Sequence, residues 1–381
     1  MKCLIVVPFF PPQKGVGTIR MASLARYLKS QSIETVVLTN QIQCNPEINL
    51  KYYYVELLKD DQSYYTRFNE NQRRYNLQFC KVIEEEVPDI VIISGGPFYT
   101  FNLAVTAKKY GLPCVLDFRD PWIFEYRGFR SFFTLKNIIS KLIELPWERN
   151  AVKSASKVVT VTNGWEKKFE KFYLSCRNKF EVIENGYDDY LLSGIELKEN
   201  NPKDRLRIAA FGKLFYYTEK YSRIFLEAYK EFQSDIELFQ VGQIENNTES
   251  LLEEYSIEKN NFKSTGFIPY VEGIQELSKA DAYLIIDIRK DAIGTKIYDY
   301  IFLNKPIIYV GPKNTVIANI VSTFEKGFVC SKSKEVEKVL RMIQHGQKLS
   351  NKYDVRKYAR SEQNQKWLEL LKKLIDDNES T

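Results

Sequence analysis

The chain has 381 residues, 44% of them hydrophobic and 27% charged, with a formal net charge of +6. That length is too great for one core of ordinary size and comfortable for two domains; the mild positive excess suits phosphates or an anionic bilayer and is too weak to indicate nucleic-acid binding. With one histidine (His345), six cysteines without a Cys-x-x-Cys pair and no long apolar run, histidine triads, zinc sites and membrane spans drop out.

The opening Lys2–Pro8 is too short for the apolar region of a signal peptide and reads as a first strand. In chain order follow helix Thr18–Ser30, strand Glu34–Thr39, helix Asn69–Glu86, strand Ile90–Ser94, helix Thr100–Tyr110, strand Cys114–Phe118, helix Ser131–Lys153 and strand Lys157–Thr162. The polar stretch Glu196–Arg205 reads as a linker, after which the alternation restarts. Strand Leu206–Phe211, helix Glu219–Phe232, strand Ile236–Val241, helix Thr248–Tyr255, strand Phe262–Gly266, helix Val271–Lys279, strand Ala282–Ile286 and strand Ile307–Val310 complete it, with an amphipathic tail helix Asp354–Ile375. Apolar strands alternating with helices define an α/β class with two doubly wound, Rossmann-like domains, in which ligands bind beyond the carboxyl ends of the strands. The expected boundaries are 1–195, 206–350 and a C-terminal helix within 354–381 that can cross back to the first domain.

The most informative segment runs from Asp291 to Asp299, two carboxylates with seven residues between them and Gly294 and Thr295 at a helix start. Backbone N–H groups at such a start favour a diphosphate, Asp299 one turn in could accept from a ribose, and Asp291 could meet a sugar; Lys296 is either a phosphate partner or solvated. Gly15-Val16-Gly17 before a helix has the same nest-like physics, whereas a dinucleotide fingerprint would need a third glycine where Arg20 stands. Asp117, Arg119 and Asp120 follow an apolar strand, either as an ion-paired loop or as reacting groups. Between Phe124 and Trp147, aromatic and basic residues interleave, a pattern suited to an anionic membrane surface or to an ordinary amphipathic helix.

Taken in order, Pro8-Phe9-Phe10-Pro11-Pro12, Gly15-Val16-Gly17-Thr18, Ser94-Gly95-Gly96-Pro97, Asp117-Phe118-Arg119-Asp120-Pro121-Trp122, Glu184-Asn185-Gly186, Phe211-Gly212-Lys213, Gly266-Phe267-Ile268-Pro269 and the acidic segment resemble the retaining GT-B glycosyltransferases of family 4. The Asp117–Trp122 hexapeptide resembles bacterial enzymes of exopolysaccharide, capsule and O-antigen synthesis. The resemblance implies two domains facing a cleft and a nucleoside-diphosphate sugar as donor, with no cofactor and no metal. It implies a saccharide or lipid-linked saccharide acceptor, and a cytoplasmic enzyme with peripheral contact to the inner membrane face. It assigns catalytic roles to Asp120, at the acceptor or donor sugar, and to Lys213 and Lys220, a basic pair at the leaving phosphate. Donor binding falls to Gly15, Gly17, Arg20, Gly212, Gly266, Phe267, Ile268, Asp291, Gly294, Thr295, Lys296 and Asp299. Three departures stand out: lysine at 213 where arginine is commoner, aspartates for the glutamate pair, and no histidine near the sugar. A sugar-nucleotide 2-epimerase of the same architecture and a non-catalytic nucleotide-sugar-binding protein are the alternatives.

Overall fold

The computed structural model describes residues 1–13, 15–40, 48–58, 63–123, 135–195, 205–346 and 353–380. Within them the chain forms two compact units, 1–185 with 360–381 and 186–359. The expected linker falls largely in 196–204, outside the described residues, and the division comes earlier, between Asn185 and Gly186. The reason is packing: Tyr187 and Leu192 are buried in the core of the second unit.

The first unit holds a seven-stranded parallel sheet, β1 Lys2–Val6, β2 Glu34–Thr39, β3 Lys51–Tyr54, β4 Ile90–Ser94, β5 Cys114–Phe118, β6 Lys157–Thr160 and β7 Phe180–Val182, in the order β3-β2-β1-β4-β5-β6-β7. The second holds six parallel strands, β8 Leu206–Phe211, β9 Ile236–Val241, β10 Phe262–Ser264, β11 Ala282–Ile286, β12 Ile307–Val310 and β13 Gly327–Cys330, ordered β10-β9-β8-β11-β12-β13. In each sheet the order reverses beside the first strand, β1 or β8. That is the switch point where a crevice opens at the carboxyl edge of a doubly wound sheet.

Side-chain caps set several helix starts. The hydroxyls of Ser63, Thr162, Thr218 and Thr315 accept from backbone N–H groups of helices Tyr64–Glu86, Asn163–Phe172, Glu219–Tyr229 and Val316–Thr323. Helix Lys296–Leu303 stops at Asn304, whose φ of 53° is left-handed, just before Lys305-Pro306. The tail helix runs from Arg360 to Glu379, and the residues before it, including buried Tyr358, pack on the second unit instead. Trp367, Leu368, Leu371 and Leu374 of that helix close the first unit's core against Leu24, Ala25 and Leu28 of helix Val16–Ser30. Cys3 and Cys114 lie buried in β1 and β5, and burial pushes the Cys3 thiol up to about 12, so neither is poised as a thiolate.

Candidate functional site

At the carboxyl edge of the second unit the chain turns sharply after each inner strand. Gly212, with φ 63°, ends β8, and a Cβ on Gly242 after β9 would come within 3.0 Å of Gly212 Cα, so the two loops meet backbone to backbone. Buried Gln240 donates from Nε2 to the carbonyls of Gly212 (2.8 Å) and Gln243 (2.9 Å), and Glu245 accepts from the Leu214 N–H at 2.9 Å. With Leu214 and Phe215 buried, the loop is fixed and Lys213 projects outward. Its ammonium stands 3.3 Å from the centre of the Tyr216 ring, a cation–π contact.

Helix Lys296–Leu303 faces this loop. The Lys296 ammonium donates to the Lys213 carbonyl at 2.5 Å, and the buried hydroxyl of Tyr300 accepts from the Phe211 N–H at 2.6 Å. Burial brings the Lys296 ammonium down to about 8, opposed by the Asp287 carboxylate and reinforced by Arg289. Arg289 is clamped on buried Asp287 (Nη2–Oδ2 2.6 Å), lies over the Tyr217 ring at 4.1 Å, and borders Gly294, whose added Cβ would sit 3.3 Å from Nη2. Two cations, Arg289 and Lys296, thus stand at the start of one helix, with the Lys213 loop packed on it through the Lys213 carbonyl, and N–H groups and macrodipole there also favour an anion. One turn in, buried Asp299 accepts from the Tyr270 hydroxyl at 2.6 Å, and the Tyr270 ring lies near that of Phe211. Asp291 and Thr295 are half-buried at the same end. Gly266 turns with φ 65° after β10, leaving Phe267 71% exposed while Ile268 packs on the core.

Sequence reasoning missed Arg289, Tyr270 and Glu245. The first was legible as Asp287-Ile288-Arg289 at a strand's carboxyl end, directly ahead of Asp291. It also paired Lys213 with Lys220; the Lys213 backbone carbonyl is held by Lys296. Lys220 lies exposed in the first turn of its helix, its ammonium 5.4 Å from the centre of the Tyr221 ring.

The first unit's carboxyl edge is organised by two arginines. Arg20 is buried and held from all three nitrogens: Nε meets Asp117 Oδ1 at 3.2 Å, Nη1 donates to the Glu184 carbonyl and Asn185 Oδ1, and Nη2 donates to the Ile183 carbonyl at 2.9 Å. Arg20 thus clasps the 183–185 segment, and Asp117 is satisfied by it and by Ser94 Oγ at 2.9 Å. Arg119 donates to the carbonyls of Gly95 and Gly96 and lies directly on Gly17; a Cβ there would fall 1.4 Å from its Nη1. Gly17 is glycine because a guanidinium needs its space, while Gly15 caps the helix in extended backbone. Burial lowers the Arg119 pKa, with Asp117 and Asp120 opposing it, and its Nε has no hydrogen-bond partner among the described residues. Asp120 is exposed beside it. The expected membrane-facing stretch lies largely outside the described residues, since 124–134 are not described; Trp147, at its end, stacks inward on Phe68 (4.8 Å, 10°). Among the described residues no helix is long and apolar enough to cross a membrane, and no group of three or more His, Cys, Asp or Glu side chains could hold a metal ion.

Two parallel-sheet Rossmann-like units of seven and six strands define the GT-B fold. Solved structures of that fold superpose on nearly the whole chain. An Anabaena protein, HepE in complex with UDP, matches at a TM-score of 0.68 with 14% identity, covering 98% of this chain and 100% of that one. A glycosyltransferase from Rickettsia africae matches at 0.62 with 15% identity and 98% of each chain covered. A UDP-N-acetylglucosamine 2-epimerase, so described for Listeria monocytogenes, matches at 0.61 with 13% identity, covering 99% and 97%. Residues 17–190 match the family model for Glycosyltransferase Family 4, so over its first domain the chain is family-4-like. No curated protein matches the sequence.

Proposed function

We propose that the protein is a retaining glycosyltransferase that moves a sugar from a nucleoside-diphosphate sugar to a saccharide or lipid-linked saccharide in surface polysaccharide synthesis. The observation that carries this reading is Arg289 and Lys296 at the start of a helix whose next turn holds Asp299, with the Lys213 loop packed on that start. When the anomeric bond breaks, negative charge builds on the diphosphate oxygens, and fixed cations with backbone donors stabilise it where it develops. Asp299, oriented by Tyr270, accepts from ribose hydroxyls. The Gly266 turn contributes backbone groups to the base, and Asp120 meets the acceptor or donor sugar. The retaining course proceeds without a protein nucleophile, the departing phosphate taking the acceptor's proton. A cytoplasmic enzyme with peripheral membrane contact fits a lipid-linked acceptor.

The test is a thermal-shift panel with UDP, GDP, dTDP, ADP, CMP and NAD, without added metal, on wild type and Asp299→Ala. UDP comes first because the Anabaena protein binds it. A ligand at about 100 times its Kd adds roughly 2.7 kcal/mol, which moves the midpoint by measurable degrees. One nucleoside diphosphate stabilising wild type and failing on the variant supports the site; stabilisation by NAD alone sinks it. Slow donor hydrolysis separates a transferase from a binding protein. Release of the 2-epimer of the sugar without acceptor marks the epimerase, which shares this fold in the Listeria structure.

A further inference from the structure

Helices Tyr64–Glu86, Leu103–Lys109 and Leu135–Ser154 of the first unit border an open groove of about 390 Å³, within the roughly 300–1,000 Å³ of ligand pockets. Its lining is dominated by amides (Asn69, Gln72, Asn76 and Asn102), with Lys109 and Trp147. Asn76 accepts from the Thr106 hydroxyl at 2.5 Å, and Arg73 is taken up by Glu70 at 2.8 Å. Among the described residues the side chains of Asn69, Gln72 and Asn102 make no hydrogen bond, although Gln72 and Asn102 are half-buried. Half-buried amides left unmatched on the walls of a groove are suited to an external partner rich in hydroxyls. A planar amide offers one acceptor and two donors that pair with neighbouring hydroxyls of a sugar ring. An indole offers an apolar face to the ring's C–H groups. Trp147 is fixed for that role by stacking on Phe68. The one cation not engaged by a carboxylate, Lys109, is too little to make this an anion site.

We propose that this groove binds a segment of saccharide chain, separately from the nucleotide-sugar edge. Asn102 lies just after β4 leaves the sheet at its carboxyl edge, and helix Leu103–Lys109 runs back from there, so the groove extends about 10 Å away from that edge. A column of stacked rings, Trp147–Phe68–Trp122–Phe98, joins the groove wall to the loop that carries Asp120. A saccharide whose end reaches the Asp120 loop would thus be steadied one or two sugars back. This goes beyond the function proposed above, since binding here needs neither donor nor transfer.

The test titrates the full-length protein with maltohexaose, cellohexaose and hyaluronan hexasaccharide by ligand-observed NMR, with and without UDP. At least one probe is expected to bind equally well in both conditions. The double variant Gln72→Ala/Asn102→Ala is expected to weaken it at least tenfold while keeping the thermal midpoint. Trp147 is left in place because its removal would read folding as well as binding. Three outcomes each overturn the proposal: no probe binds wild type, the double variant binds as wild type does, or UDP displaces the probe.

Discussion

At Asp299 the chain buries a carboxylate in a helix whose neighbours Ile297, Tyr298, Tyr300 and Ile301 are all core residues, and a charge there is costly unless it is met by donors. The Tyr270 hydroxyl meets one oxygen and orients the group. Losing a hydrogen bond to a charged acceptor costs about 1.5–3 kcal/mol, so Asp299→Ala should raise the UDP Kd roughly ten- to hundredfold. Tyr270→Phe, which removes only the orienting donor, should cost about 1 kcal/mol or roughly fivefold. Isothermal titration measures both; an unchanged Kd with a lowered midpoint would make Asp299 a folding residue only. Lys296 adds a pH signature. Its pKa of about 8 lies below the ordinary lysine value because burial disfavours the charge. Below pH 8 it is protonated in both folded and unfolded chains, whereas between 8 and the ordinary value only the unfolded chain holds the proton, so this group's share of stability rises with pH there. Diphosphate binding works the other way, since it favours the cation. UDP affinity should fall as pH rises past 8, with proton uptake on binding that buffers of different ionisation enthalpy reveal. Lys296→Met should flatten that dependence.

The loop that presents Asp120 is held by helix Leu135–Ser154 through two carboxyl groups. Glu144 accepts from the Trp122 indole at 2.7 Å; Glu148 accepts from the Ile123 N–H at 2.8 Å and from the Tyr173 hydroxyl at 2.5 Å. Burial pushes Glu148 up to about 7, with its two donors and Glu144 acting as smaller opposing and reinforcing influences. Because the folded-state value is raised, the folded chain holds a proton that the unfolded chain has lost between about pH 4.5 and 7. Stability from this group therefore declines as pH rises through that window, by on the order of 3 kcal/mol. Glu148→Gln keeps an acceptor for Ile123 and offers Tyr173 a donor, so its midpoint should vary less from pH 4.5 to 7 than wild type's; an identical profile would mean that Glu148 does not titrate there. The neighbouring glycine loop makes a steric prediction. Gly17→Ala places a methyl inside the Arg119 guanidinium, which must move off Gly95 and Gly96. Turnover should fall at least tenfold while UDP binding to the second unit stays intact, a split read from kcat and Kd. Weakened UDP binding would show instead that the loop acts on the donor.

Over the whole molecule, what was legible follows from which forces are local. The central strands are rich in apolar, largely Val, Ile and Leu, residues and were found within one or two residues. The strands missed, Lys51–Tyr54, Phe180–Val182 and Gly327–Cys330, are short strands at sheet edges, specified by a neighbour more than by their own pattern. Glycines and charges at strand ends pointed to the turns at the carboxyl edge of the second sheet because a turn's residue demands are local. The clasp made by Arg20 was not legible because the direction of a long side chain is settled by distant partners, here Asp117 and the Ile183 and Glu184 carbonyls. The chain end divides at one point: residues to Ala359 pack on the second unit, and Arg360 onward completes the first. That arrangement predicts two separable folding events. Trp367 is 1% exposed among Leu24, Leu28 and Leu371, with Arg20 at 5.6 Å over its ring. Trp367→Ala should cost the first unit about 3–5 kcal/mol and leave the second unit's own core intact. A chain ending at Ala359 should go further, exposing the first unit's core while the second still melts cooperatively and is still stabilised by UDP. Calorimetry of both variants with and without UDP checks this. A single transition that falls as one, with UDP stabilisation lost alongside it, would mean that the two cores fold as one cooperative unit despite their separate side-chain clusters.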